Sequence, residues 1–137
     1  MSTESGAVAA AEPASFVVVD PNGHRKKVPV DPIPFLIGRQ PENHLILRDS
    51  RVSRSHARIV WHGGTFQLTD LSYNGTYVRF DHDPEVISLR RGSCTLHGSG
   101  MIGLGTPPTD ALSPSVRFEV LRSGDRLAAG IEDRRKP

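Results

Sequence analysis

Short apolar runs, many of them β-branched, alternate along this chain with clusters of Gly, Pro, Asn and Asp. That is the punctuation of strands and turns. Phe16-Val17-Val18-Val19 reads as a first strand, closed by a turn at Asp20-Pro21-Asn22-Gly23, with Arg25 to Val30 returning as its hairpin partner. Asp31-Pro32-Ile33-Pro34 is a stiff connector, because each proline fixes φ and removes a donor. Phe35-Leu36-Ile37 then predicts a short buried strand ending at Gly38-Arg39, and His44-Leu45-Ile46-Leu47 another. Ala57 to Trp61 and Thr65 to Thr69 flank His62-Gly63-Gly64, a strong hairpin signal. Further strands are expected at Thr76 to Phe80, Val86 to Leu89, Cys94 to Leu96 and Met101 to Leu104. The last is Val116 to Leu121, whose Val116, Phe118 and Val120 share one face. Ten or eleven short strands with regularly spaced turns describe an all-β sandwich or barrel.

With 137 residues, the chain has room for one domain with an ordinary core. Residues 1–15 are small, polar and aperiodic and are expected to form a disordered leader, and 122–137 a charged C-terminal tail with a short helix over 126–131 at most. The domain proper is then 16–121. No apolar run approaches the roughly 20 residues of a membrane span, and no basic-then-apolar signal opens the chain. A membrane is therefore not an expected partner. The net charge of +2 comes from scattered basic residues, which argues against nucleic acid as well. A single cysteine, Cys94, leaves no intrachain disulfide and fits a reducing cytoplasmic setting.

Candidate chemistry gathers between residues 35 and 80, in Gly38-Arg39, Arg51-Val52-Ser53-Arg54-Ser55-His56 and Tyr73-Asn74-Gly75-Thr76. Each piece sits where an alternating run stops or starts. Loops converging at one end of a β scaffold with an Arg and hydroxyls suit an anionic ligand. Taken singly, Arg39 reads as a solvated turn arginine, Ser53 as a turn residue and Asn74-Gly75 as a common hairpin pair.

Other patterns carry less. Gly98-Ser99-Gly100-Met101-Ile102-Gly103 fits G-x-G-x-x-G formally, but Pro107-Pro108 follows where a dinucleotide site needs a helix, so no cofactor is expected and the glycines mark turns and a bulge. Cys94 and His97 stand at odd separation and point to opposite strand faces, so neither a metal nor a nucleophile pair is expected. A hydrolase built on Ser53 and His56 lacks a clear carboxylate and oxyanion donors.

The three pieces, in that order and spacing, resemble the forkhead-associated (FHA) domain family, and the resemblance runs from about Phe16 to Leu121. It implies an eleven-stranded β-sandwich that binds phosphothreonine peptides through loops at one end, without catalysis. By the same resemblance, Arg39 is the phosphate-binding arginine, and Ser53 holds another phosphate oxygen through its hydroxyl and backbone N–H. Arg54 adds a second polar contact, and Asn74 bonds the peptide backbone. His56 props the loops from behind, while Gly38 opens the motif and Gly75 turns Asn74 to the ligand.

Tyr73 stands where many members carry Ser or Thr, leaving its N–H as the available donor, and Arg79 stands where an asparagine is common. Arg51 faces the residue three positions after the phosphothreonine, which predicts an acidic preference there. The partner implied is a protein phosphorylated by a Ser/Thr kinase, with phosphate-independent interaction or oligomerisation as the alternative. Thr3, if phosphorylated, is a candidate self-ligand on the leader. A few charge-assisted hydrogen bonds of roughly 1.5–3 kcal/mol each, less the cost of ordering a peptide, imply affinity around micromolar.

Overall fold

The structure, a computed structural model, describes residues 15–31, 33–109 and 112–121. The expected leader with Thr3, the tail with its short helix, and Pro32 of the connector lie outside the described residues, except that Ser15 opens the first strand. The strands are β1 (Ser15–Val19), β2 (Arg25–Val28), β3 (Phe35–Gly38), β4 (Leu45–Ile46), β5 (Ala57–His62), β6 (Thr65–Asp70), β7 (Thr76–Phe80), β8 (Ile87–Leu89), β9 (Ser93–Leu96), β10 (Ser99–Leu104) and β11 (Ser115–Leu121). They form a six-stranded sheet, β2-β1-β11-β10-β7-β8, and a five-stranded sheet, β4-β3-β5-β6-β9.

Period-two alternation decides which face of each strand is buried. Phe66 and Leu68 of β6, Val78 and Phe80 of β7, and Val116, Phe118 and Val120 of β11 all point inward, with half-exposed neighbours between them. The two inner faces meet ring to ring: Phe16 of one sheet lies 4.7 Å, centroid to centroid, from Phe66 of the other. Phe118 completes the cluster, stacked on Phe16 at 6.2 Å and edge-on to Phe80 at 5.8 Å. A dry core between two sheets is what makes this a sandwich.

Two local expectations change once strand partners are known. The run His44 to Leu47 shortens to Leu45–Ile46, because β4 is an edge strand that pairs with β3 alone, in parallel. Asn74-Gly75 is not a hairpin turn: β6 and β7 belong to different sheets, so residues 71–75 cross between the layers. Gly100 and Gly103 of the G-x-G-x-x-G run lie within β10, in a strand and not at a helix N-terminus. Cys94 is half-buried against the core, whereas His97 is exposed and stacks on Phe80.

Register fixes which loops share an end. Ile37 of β3 pairs with Ala57 of β5, and Ala57 pairs with Asp70 of β6. Thr76 of β7 pairs with both Leu104 of β10 and Leu89 of β8. The end of β3, the start of β5, the end of β6, the start of β7 and the ends of β8 and β10 therefore form one rim. The loops 39–44, 47–56, 71–75 and 90–92, together with residues 105–109 and 112–114, all emerge there.

Candidate functional site

The three sequence pieces meet at this rim, and Gly38 is where the meeting begins. A Cβ on Gly38 would run into the Arg54 carbonyl, so only glycine lets the β3 end touch the 53–55 loop. The buried Asn43 side chain seals the same contact, its Nδ2 donating to Arg54 O at 2.7 Å and Gln40 O at 2.9 Å.

Arg39 follows directly. Its backbone N–H donates to Ser53 O at 3.0 Å, and its Nε donates to Val52 O at 2.9 Å. The guanidinium is thus pinned by its inner nitrogen. Its two terminal nitrogens have no partner among the described residues, and the side chain is exposed. A planar fork held in this way is preorganised for two oxygens of one anion.

Ser53 stands next to it, with a donor allocation that differs from the expectation. Its backbone N–H donates to His56 Nδ1 at 2.9 Å, so that group is spent within the protein. Its Oγ accepts from the Tyr73 N–H at 3.1 Å, which leaves the hydroxyl hydrogen to point elsewhere. The Tyr73 N–H, expected to face the ligand, is therefore also committed. Neither the backbone N–H nor the guanidinium of Arg54 is engaged among the described residues, and Arg54 is exposed. What the rim offers an anion is the Arg39 fork, the Ser53 hydroxyl and the Arg54 N–H.

His56 is fully buried and ties two loops together. Its Nδ1 accepts from Ser53 while Nε2 donates to Gly75 O at 2.9 Å, which fixes the neutral tautomer. Burial pushes the imidazole below its usual value of 6.5, against the opposing pull of the Gly75 carbonyl and the Asp70 charge. With both nitrogens occupied by backbone groups, it cannot serve as a base for Ser53. Because the folded pKa lies below the unfolded one, this contribution to stability is complete above about pH 6.5 and declines as pH falls from there toward the folded pKa. Urea titrations should show stability falling as pH drops below about 6.5, with a shallower slope in His56→Gln.

The 71–75 loop is held by a carboxylate that the sequence did not single out. Asp70 is buried; its Oδ1 accepts from Ser72 Oγ and Thr76 Oγ1, both at 2.6 Å, and from the Ser72 N–H at 3.1 Å. Its Oδ2 accepts from the Arg91 N–H at 2.8 Å. Burial alone would raise this carboxyl, but the bonds from Ser72, Thr76 and Arg91 more than reverse that and leave it below the usual carboxylate value. Ser72 Oγ in turn accepts from the Gly75 N–H at 2.7 Å. Gly75 sits at φ +97°, which an L side chain resists, and its carbonyl takes both His56 and the Gly105 N–H.

On this frame Asn74 is exposed, with Nδ2 donating to Arg51 O at 3.3 Å and its side-chain oxygen open. Tyr73 projects outward, 88% exposed. Arg51 is less available than expected: its guanidinium bonds both oxygens of Asp49, at 3.0 and 2.9 Å, and Leu112 O at 2.9 Å. Those bonds also hold the Asp49 carboxyl below its usual value.

The rim of this β-sandwich presents hydrogen-bond donors, and its buried histidine, His56, is spent on backbone groups. Residues 35–93 match the model of the FHA domain. The FHA-1 domain of Mycobacterium tuberculosis Rv1747 shares the fold, with a TM-score of 0.61 at 19% identity over 80% of this chain and 99% of that one. A structure described as an analysis of phosphothreonine-dependent FHA domain interactions aligns at 27% identity and a TM-score of 0.54, covering 78% of this chain and 95% of that one. The glycogen accumulation regulator GarA of Mycolicibacterium smegmatis is 50% identical over 42 residues, which are 30% of this chain and only 27% of that relative's length. Residues 35–93 are thus those that match the FHA domain, set in a fold that solved FHA domains share.

Proposed function

We propose that this rim captures a phosphothreonine-containing peptide, so that the domain joins its partner only after a Ser/Thr kinase has acted. The observation that carries the reading is the Arg39 guanidinium, clamped through Nε to Val52 O with its outer nitrogens unpartnered among the described residues, next to Ser53. Phosphothreonine brings about −1.5 to −2 charges and three acceptor oxygens. The Arg39 fork takes two of them, and the Ser53 hydroxyl and the Arg54 N–H share the third. Asn74 reads the peptide backbone from its own loop, and Gly38, His56 and Gly75 keep the loops in place. The phosphothreonine-dependent interactions described for a relative at 27% identity support the same assignment. Residues 16–121 form the binding domain in this reading, working in the cytoplasm with 1–15 and 122–137 as flanking segments.

Titration calorimetry with matched phosphothreonine and unmodified peptides tests it. The phosphorylated peptide is expected to bind with Kd around micromolar and the unmodified one not measurably. Equal binding of the two would favour phosphate-independent interaction or oligomerisation instead.

Arg51 adds a finer preference. An acidic residue three positions after the phosphothreonine would have to share its guanidinium with Asp49, so the gain should be small, roughly twofold. Asp49→Ala frees the arginine and should enlarge that gain on a peptide array. Indifference to charge at this position in both proteins would remove Arg51 from the binding set.

A further inference from the structure

The rim carries a second pair of arginines that the phosphate subsite leaves unused. Leu89 at the end of β8 pairs with Thr76, and β9 opens at Ser93 opposite Thr69. The 90–92 turn therefore crosses between the sheets at the same end as Arg39, Ser53 and Asn74. It is tethered twice to Asp70, whose N–H donates to Gly92 O at 3.0 Å and whose Oδ2 accepts from the Arg91 N–H at 2.8 Å. Arg91 is held at φ +65°, the one positive φ outside glycine among the described residues. Side chains resist that conformation, so the tether fixes the turn in a shape the residue would not choose.

Arg90 and Arg91 line a cleft with Asp70, Ser72, Tyr73 and Gly75. Both arginines are exposed, and neither guanidinium has an ion pair or hydrogen bond among the described residues. Asp70, the acidic group in the cleft, makes no ion pair with either guanidinium among the described residues; its oxygens bond Ser72, Thr76 and the Arg91 backbone. Tyr73 links the two places: its N–H meets Ser53 Oγ, and the residue also lines the cleft. A peptide whose phosphate sits at Ser53 has one flank passing over Tyr73 toward the exposed Arg90 and Arg91.

We propose that Arg90 and Arg91 form a second anion subsite, which takes an acidic side chain, carboxylate or phosphate, on one flank of the bound phosphothreonine. The subsite rests on the phosphothreonine reading above and narrows the partner to peptides with a second negative charge on that side.

Fluorescence anisotropy with a labelled phosphothreonine peptide of neutral flanks sets the baseline. Glu, or a second phosphothreonine, is then placed at each neighbouring position in turn. One flank only should respond, with binding roughly five- to tenfold tighter at low salt and the gain shrinking as salt rises. The phosphate arm should exceed the carboxylate arm if the source is a second phosphorylation, and match it if an acidic residue suffices. In the double variant Arg90→Gln with Arg91→Gly, whose glycine suits the positive φ, the gain should vanish while the neutral peptide binds within about twofold of wild type. If that variant misfolds by circular dichroism, Arg90→Gln alone should halve the gain or more. Intact binding of the neutral peptide with no gain at any position, or a gain that survives both variants, overturns the subsite. Failure of wild type to bind the neutral phosphothreonine peptide overturns the phosphothreonine reading, and the subsite with it.

Discussion

Arg39→Ala should weaken binding of a phosphothreonine peptide by about a hundredfold or more while barely changing the stability of the domain. The binding loss follows from removing two charge-assisted hydrogen bonds of roughly 1.5–3 kcal/mol each. The stability change is small because the contact that joins the loops through this residue is its backbone N–H to Ser53 O, which alanine keeps. The lost Nε bond to Val52 O belongs to an exposed side chain, so water can replace it at a cost below about 1 kcal/mol. Arg39→Lys retains the charge but neither the fork nor the Nε clamp, and should recover only part of the affinity. Calorimetry for binding and thermal melts for stability separate the two effects. Unchanged affinity in Arg39→Ala would contradict the assignment outright.

Asp70→Ala should show the opposite profile, with a large loss of stability and an indirect loss of binding. Ser72 Oγ, Thr76 Oγ1 and the backbone N–H groups of Ser72 and Arg91 all donate to this carboxylate. Ser72 and Thr76 are themselves buried, so their hydroxyls would be left without acceptors inside the protein. Each such group costs roughly 1–3 kcal/mol, and a total of about 3–5 kcal/mol is expected from urea unfolding. Asp70→Asn keeps one acceptor oxygen but turns an NH₂ toward one set of donors, and should recover about half of the loss. Amide exchange should rise first in the 71–76 and 90–92 segments, which Asp70 holds, and least in β10 and β11. A loss below about 1 kcal/mol in Asp70→Ala would mean that the loop finds other acceptors.

The strands were readable in advance because a half-buried sheet imposes a period of two that few other structures share. β6, β7 and β11 wrote that period directly into Phe66, Leu68, Val78, Phe80, Val116, Phe118 and Val120. Pairing was less readable. Asn74-Gly75 has the chemistry of a hairpin turn, and only the knowledge that β6 and β7 lie in different sheets shows that it crosses the sandwich. Arg39, Ser53 and Asn74 stood out only as a set, since each alone is an ordinary turn residue.

Asp70 and Asn43 did not stand out at all. Their partners lie up to 21 and 11 residues away, and nothing local marks a polar group as buried. Donor allocation was equally hidden. Whether the Ser53 N–H faces a ligand or His56 depends on where an imidazole three residues further along the same loop comes to rest. Arg51 is a different case: Asp49, two positions earlier, was a visible partner for its charge.

The most direct measurement is a two-dimensional NMR titration of the ¹⁵N-labelled domain with a phosphothreonine peptide, reading backbone amides together with arginine Nε resonances. The largest shifts are expected at the Arg39 Nε and the amides of 38–40, 53–54 and 73–75, absent with the unmodified peptide. A guanidinium and a hydroxyl brought side by side from distant parts of the chain would then be seen gripping the same phosphate ester. Shifts concentrated on the opposite end of the sandwich, around the 62–65 or 81–86 turns, with Arg39 unmoved, would contradict it.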